Sequence, residues 1–313
     1  MALETLEQVI GGLSRTSARR SYTMIYLMEI SYFQAVFTGF VQGITELFPV
    51  SSLGHAVLVP AWFGGSWSKF TTDPNSPYLT VTIALHFASA LALFWVFRKR
   101  WLGLIGGGVN TLRKRPSTQG RVFWLIVWAT LPVILLAFAF EHKIKSLFAN
   151  PFAAAAFLTI NGVILICAEK FSHRNFGSST DLAEDLQITE KVTPRIALTI
   201  GLGQSLALFA GISRFGITMS SGLLRGLSHA TASDFAFLLA LPVILGASVK
   251  KLPELLAPEY SHLIGPILAG SVVSFICTYA SVVFLVKWFK SRSLYPFAIY
   301  CLVLGVASLI RFA

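Results

Sequence analysis

Residues 42–55, QGITELFPVSSLGH, place an acid, two serines and a histidine inside a long apolar run. A helix over residues 34–47 would hold Gln42 and Glu46 on one face, because side chains four residues apart are neighbours on a helix. Pro49 ends such a helix, since proline lacks an N–H and forces the preceding residue out of helical angles. The sequence therefore predicts a helix break that is lined by polar side chains.

A second helix is predicted to begin directly after this break. Ser51 and Ser52 stand where that helix needs an N-cap, and His55 follows Ser52 by about one turn. Glu46, Ser52 and His55 are therefore predicted to converge at the tip of a broken helix pair. Ser51 fits a capping role and a catalytic role equally well.

The composition places the chain among membrane proteins. Of its 313 residues, 55% are hydrophobic and only 12% are charged, and a soluble core of this size would carry more charge. The net charge of +11 comes from Lys and Arg residues between apolar segments, which favours basic cytoplasmic loops and argues against nucleic-acid binding. The three cysteines, Cys167, Cys277 and Cys301, lie in separate apolar segments and indicate neither a disulfide nor a zinc site.

Six apolar segments are long enough to cross about 30 Å of hydrocarbon. They cover residues 79–97, 122–140, 150–168, 234–250, 263–286 and 294–311. Two further apolar stretches, 31–63 and 196–227, are broken near Pro49 and near residues 211–216. The pieces are too short to span, so we predict re-entrant hairpins whose polar groups face protein or a watery cavity.

Charge in the loops predicts the orientation. Residues 98–121 hold seven Lys or Arg and no acid, which is typical of the cytoplasmic side. Counting spans from there places residues 141–149 outside and the basic residues 287–292 inside. The N-terminal extension, 1–30, has apolar positions at helical spacing followed by arginines, and fits either an amphipathic surface helix or a frayed terminus.

An internal repeat relates the two broken stretches. A shift of 162 positions, without a gap, pairs Ala35 with Ala197, Gly39 with Gly201, Gln42 with Gln204, Ser51 with Ser213 and Gly54 with Gly216. Each copy is a hairpin followed by three spans, and this odd number would turn the second copy upside down. We therefore predict an all-α polytopic membrane protein of one domain, with an inverted-topology repeat of residues 31–195 and 196–313, about six transmembrane helices and two re-entrant hairpins.

The second hairpin tip carries Arg214 where the first tip carries Ser52. An arginine within a membrane costs several kcal/mol unless it faces a partner or a cavity, so Arg214 is a candidate for binding an anionic group. The neighbours predicted to help, through hydroxyls or through close backbone approach at a helix start, are Gly211, Ser213, Gly216 and Thr218. A purely structural ion pair between Arg214 and Glu46 is the alternative.

Three segments, QGITELFPVSSLGH, AGISRFGITMSSG and SHATASDFAFLLALPVILGAS, resemble the bacterial undecaprenyl-diphosphate phosphatase family, known also for bacitracin resistance. The likeness covers most of residues 31–313. It implies hydrolysis of undecaprenyl diphosphate to the monophosphate at the outer face of the cytoplasmic membrane, with Mg²⁺ or Ca²⁺ as cofactor. A transporter of the same polyprenyl phosphate is the alternative function, and a homodimer is compatible with the sequence.

The resemblance also implies roles for individual residues. Glu46, Ser52, His55 and Arg214 match motif positions and are expected to be catalytic, with His55 acting as acid or base toward Ser52 or a water. Ser51 matches the first of the family's paired serines and is expected to contact the substrate.

Gln42 stands where the family usually has a glutamate. The resemblance implies that Gln42 contacts the substrate and, together with Glu46, holds the cation, although an amide binds a hard cation less strongly than a carboxylate. The chain departs from the family again at Ala210 and Phe215. His86 and Asn161, isolated inside spans, are interpreted as hydrogen-bonding residues of helix packing.

Overall fold

The computed structural model describes residues 30–72, 76–140, 150–172 and 184–313. The predicted N-terminal extension, apart from residue 30, and the predicted external loop 141–149 lie outside these ranges. Within them every regular element is a helix, as the composition predicts.

The first half contains six α-helices within the described ranges. They are α1 (Tyr32–Thr45), α2 (Ser52–Phe63), α3 (Gly65–Thr72), α4 (Tyr78–Leu112), α5 (Thr118–Ala139) and α6 (Pro151–Phe171). The rest of the described chain adds α7 (Glu184–Lys191), α8 (Pro194–Gln204), α9 (Arg214–Leu223), α10 (His229–Lys251), α11 (Ile264–Trp288) and α12 (Tyr295–Phe312). Among the described residues, six helices are long and apolar enough to cross a membrane, namely α4, α5, α6, α10, α11 and α12, and this confirms the predicted number of spans.

The prediction that residues 98–112 form part of a loop is wrong. Helix α4 bends at Phe97, whose φ of −99° and ψ of 16° are not helical, and then continues to Leu112. The continuation is anchored by Arg100, which lies 2.7 Å from a carboxylate oxygen of Asp185 and 2.8 Å from one of Asp234. Both acids belong to distant helices, so the local sequence gives no signal of this anchor.

The first predicted break lies where Pro49 indicates it. Helix α1 begins with a capping box of Ser31 and Gln34 and ends at Thr45, and the chain turns before α2. Ser51 has a positive φ of 69°, and its Oγ accepts a hydrogen bond from the amide of Gly54 at 3.2 Å. Ser51 is therefore the N-cap of α2, as predicted.

The second break has the same design. A short 3₁₀ turn, Ser205–Leu208, follows α8, and the chain then reverses through Gly211, whose φ is 113°. Only glycine adopts this angle readily, and a Cβ atom here would overlap the carbonyl oxygen of Ala154. Ser213 caps α9 by accepting a hydrogen bond from the amide of Gly216 at 3.1 Å.

The first helix of each hairpin packs on the second span of the other half. Helix α1 lies against α11, and α8 lies against α5. A Cβ atom on Gly39 would overlap the carbonyl oxygen of Gly270, and one on Gly201 would overlap that of Ala129. Two aligned glycines thus make equivalent close contacts, which supports the predicted repeat. The inversion of the repeat and the re-entrant placement of the hairpins stay predictions.

The close contact at Gly39 gives a direct test of this packing. We expect Gly39→Ala to lower the free energy of unfolding by about 2 kcal/mol or more, because the added methyl group meets backbone that cannot rotate away. Thermal unfolding of the purified protein in detergent would show the loss as a lower midpoint. Gly106→Ala is the matched control, since a Cβ atom on Gly106 meets nothing within 4 Å. Equal midpoints for the two variants would contradict the packing described here.

Candidate functional site

The two helix breaks are bonded directly to each other. The amide of Gly211 donates to Ser51 Oγ at 3.1 Å, and Ser213 Oγ donates to the carbonyl oxygen of Phe48 at 3.3 Å. Thus each serine caps its own helix and also forms a hydrogen bond with the backbone of the opposite hairpin. The tips of the two hairpins therefore meet.

Asn161 in α6 ties the same two breaks together from the side. Its Nδ2 donates to the carbonyl oxygen of Pro49 at 3.0 Å, and its Oδ1 accepts from the amide of Ser213 at 3.0 Å. The side chain is completely buried. Asn161 was interpreted from sequence as a residue of helix packing, whereas it holds the two irregular segments in register.

Glu46 is the centre of the polar cluster at the junction. Its Oε2 accepts hydrogen bonds from Ser52 Oγ at 2.6 Å and from Gln42 Nε2 at 2.7 Å. Its Oε1 lies 3.7 Å from Nη1 of Arg214, which comes from the other hairpin. The Glu46 side chain is only 3% exposed, so its charge depends on these neighbours for stabilisation. Of the predicted convergence of Glu46, Ser52 and His55, the contact between Glu46 and Ser52 is present, and Arg214 joins it from the other hairpin.

His55 lies beside the cluster without a hydrogen bond to it. Its Nδ1 is 2.7 Å from the carbonyl oxygen of Ser51, and its Nε2 is 2.7 Å from the hydroxyl of Tyr300 on α12. A carbonyl oxygen only accepts, so Nδ1 carries a hydrogen and Nε2 accepts from Tyr300. In this geometry both ring nitrogens are engaged away from Ser52, the residue toward which His55 is predicted to act.

His86 in α4 occupies the place expected for His55. Its Nε2 lies 3.2 Å from Glu46 Oε2 and 3.4 Å from Ser52 Oγ, and its ring is buried. His86 forms hydrogen bonds between helices, in keeping with its interpretation from the sequence, but its partners are Glu46 and Ser52 of the polar cluster. Spacing could not reveal this, because α4 reaches the cluster only through tertiary packing. The available signal was the rule that an ionisable residue inside a span is a functional candidate.

The predicted substrate-binding residues of the second hairpin surround the tip, but their amides are already used. The amides of Gly211, Ser213 and Gly216 donate to side-chain oxygens of the protein. Thr218 lies one turn beyond Arg214 and is buried, and its hydroxyl has no hydrogen-bond partner. An anion that approached this tip would therefore meet the guanidinium of Arg214 and not those three backbone amides.

Two cavities meet at Ser52. The first is a narrow cavity lined by Glu46, Ser51, Ser52, Ser213 and Arg214 together with apolar neighbours. The second is equally narrow and contains Gln42, Ser52 and His55, but it is otherwise mainly apolar, with Val41, Val59 and Trp67 among its lining residues. One cavity suits a charged group and the other suits hydrocarbon.

The donor set does not fit a divalent cation held by the protein alone. Gln42 turns its NH₂ group toward Glu46, and both oxygens of Glu46 already face donors. Calcium takes six to eight oxygen ligands, and magnesium requires an octahedron of them. Across the described parts of the chain, no three His, Cys, Asp or Glu side chains are grouped to hold a metal ion. The Mg²⁺ or Ca²⁺ that the resemblance implies stays a prediction.

The sequence matches one family of known proteins. Residues 35–307 match the family described as bacitracin resistance protein BacA. The chain belongs to this family. It is 44% identical to the undecaprenyl-diphosphatase of Mycolicibacterium paratuberculosis, over 91% of this chain and 98% of the relative. It is 42% identical to undecaprenyl-diphosphatase 2 of Frankia alni, over 91% of this chain and 99% of the relative. It is 38% identical to undecaprenyl-diphosphatase 2 of Chromobacterium violaceum, over 88% of this chain and 97% of the relative.

Family membership confirms the resemblance seen in the sequence. Together with the six long apolar helices, it makes this BacA family member a multi-pass membrane protein. The structure, in turn, explains one departure from the family pattern, at Phe215. Phe215 points into the core, where its ring centroid lies 4.7 Å from that of Phe237 and 5.6 Å from that of Phe289, so the substitution affects packing.

The bridge made by Asn161 can be tested by Asn161→Leu, which keeps the volume and removes both hydrogen bonds. The amide of Ser213 would be left buried and unpaired, at about 1–3 kcal/mol, and the carbonyl of Pro49 would keep only the weak donor Sγ of Cys301 at 3.7 Å. We expect a lower midpoint of thermal unfolding in detergent. Asn110→Leu is the matched control, because Asn110 is exposed. A midpoint for Asn161→Leu equal to that of the control would show that the bridge contributes nothing.

Proposed function

We propose that this BacA family member hydrolyses undecaprenyl diphosphate to undecaprenyl phosphate and inorganic phosphate, and so recycles the lipid carrier of cell-wall synthesis. The observation that carries the proposal is the junction of the two hairpins, where Arg214 lies 3.7 Å from Glu46 and Ser52 lies 2.6 Å from the same carboxylate. Curated relatives at 42–44% identity are named for this activity. None of these observations favours the transporter alternative over hydrolysis.

Ser52 has the surroundings of an activated nucleophile. Its hydroxyl donates to Glu46 Oε2 and lines the cavity that contains Arg214. In the first step Ser52 Oγ attacks the terminal phosphorus, its proton passes to Glu46, and the bond from that phosphorus to the bridging oxygen breaks. Undecaprenyl phosphate leaves with the bonding electrons, and water then hydrolyses the phosphoserine, returning the proton to Ser52.

Arg214 supplies the positive charge that this reaction needs. Negative charge spreads over the non-bridging oxygens during phosphoryl transfer, and a guanidinium in a largely dehydrated cavity stabilises it strongly. Because the same guanidinium faces Glu46 before the substrate binds, it is already oriented toward the reacting atoms. Ser51 and Ser213 serve this step indirectly, by holding the two tips together.

The linings of the two narrow cavities match in character a substrate with a charged head and an isoprenoid chain. The polar cavity around Arg214 would receive the diphosphate, and the mainly apolar cavity beyond Ser52 would receive the first isoprene units. Because Ser52 lines both, cleavage would occur where the polar head meets the hydrocarbon.

We propose that the site faces the outside of the cytoplasmic membrane. Arg98 is the first residue of the basic segment 98–121. At the usual rise per residue it lies about 18 Å from His86 along α4. Since basic segments favour the cytoplasmic side, the cluster around His86 would lie toward the opposite face. A homodimer stays a prediction.

Release of phosphate from undecaprenyl diphosphate by the purified protein tests the function. We expect release by the wild type and a loss of at least about 100-fold in kcat for both Ser52→Ala and Arg214→Ala, because each removes a group that acts on the transition state. The matched controls are Ser66→Ala and Arg225→Ala, whose side chains are exposed. Absence of release by the wild type would overturn the proposal, and full activity of Ser52→Ala would overturn the role of that residue.

A further inference from the structure

His86 is the described titratable group that touches the reacting atoms and has no part in the reaction as set out above. Its Nε2 forms a triangle with Ser52 Oγ, 3.4 Å away, and Glu46 Oε2, 3.2 Å away, and these two oxygens are themselves 2.6 Å apart. The triangle lies inside the protein, since all three residues are at most 8% exposed. No water is needed to connect the three atoms.

The hydrogen-bond pattern makes His86 a donor. Its Nδ1 lies 2.8 Å from the carbonyl oxygen of Thr82, which only accepts, so Nδ1 carries a hydrogen. The single hydroxyl hydrogen of Ser52 points toward Glu46, and Nε2 therefore faces lone pairs on both oxygens. A hydrogen on Nε2 would therefore have an acceptor at each of the two oxygens.

We propose that His86 is a positioning residue for the pair of Ser52 and Glu46. Its Nε2–H completes the set of donors around Glu46 Oε2, together with Gln42 Nε2 at 2.7 Å. The carboxylate is thereby held in the rotamer that accepts the proton of Ser52 while its other oxygen faces Arg214. This inference rests on the proposed phosphatase function and adds a residue to it.

The same contacts assign this role to His86 rather than to His55. The two nitrogens of His55 are taken by the carbonyl of Ser51 and the hydroxyl of Tyr300. His55 thus connects α2 to α12, whereas His86 brings α4 to the break between α1 and α2. Of the two histidines, only His86 has a ring nitrogen within 3.5 Å of Ser52 Oγ in these contacts.

The test compares His86→Gln with His86→Leu in the phosphate-release assay. Glutamine keeps an N–H donor at about the place of Nε2 and cannot act as a proton acceptor at neutral pH, whereas leucine keeps the volume and has no donor. We expect kcat to fall about 100-fold in His86→Leu and by less than about tenfold in His86→Gln, because a hydrogen bond to a charged group is lost in one and kept in the other. KM is expected to change less than about threefold in both, since His86 does not face Arg214.

The control is Ser89→Ala, which removes a buried hydroxyl from the same helix. The partners of this hydroxyl are the carbonyl of Leu85 and the hydroxyls of Ser274 and Thr278. It measures how much kcat depends on the packing of α4 alone. A kcat for His86→Leu equal to that of Ser89→Ala would overturn the proposal. So would a His86→Gln enzyme as slow as His86→Leu, because that result requires the ring to transfer a proton. An inactive wild type would overturn the phosphatase function itself, so the two failures are distinct.

Discussion

The structure depends on the pairing of two broken helices, each of which satisfies backbone groups that the other leaves free. A helix break exposes amides and carbonyls, and each unpaired group costs several kcal/mol where water is excluded. Here the amide of Gly211 is satisfied by Ser51, and Asn161 serves both the carbonyl of Pro49 and the amide of Ser213. Neither hairpin can keep these bonds alone. The need to pair these backbone groups holds the two halves together. It therefore also fixes the position of the polar side chains at the two tips.

Charge at this junction follows from the same contact. Glu46 is almost fully buried and comes from one half, and Arg214, its cationic neighbour, comes from the other. At 3.7 Å the two are too far apart for a tight hydrogen-bonded pair, so the guanidinium is held near the acid while still lining an open cavity. The geometry suits an anion that enters beside Arg214 and approaches Ser52.

Features that depend on neighbouring residues were predictable from the sequence, and features that depend on distant packing were not. Proline chemistry and capping preferences gave the break at Pro49 and the role of Ser51, and the cost of burying charge pointed to Arg214. The helical continuation past Phe97 depends on acids in two other helices, and the approach of His86 to Glu46 depends on how α4 packs. His55 has the right spacing from Ser52, yet its ring bonds to the hydroxyl of Tyr300. Tyr300 lies far along the chain, so local spacing could not indicate this contact.

The exchange of the family's usual first acid for Gln42 agrees with this electrostatic arrangement. Two carboxylates a few ångströms apart repel each other, so one of them must bind a proton or a cation. The amide of Gln42 instead donates to Glu46 at 2.7 Å, and His86 approaches the same oxygen from another helix. Glu46 is thus surrounded by donors, and the guanidinium of Arg214 beside it lines the cavity that a diphosphate is proposed to enter.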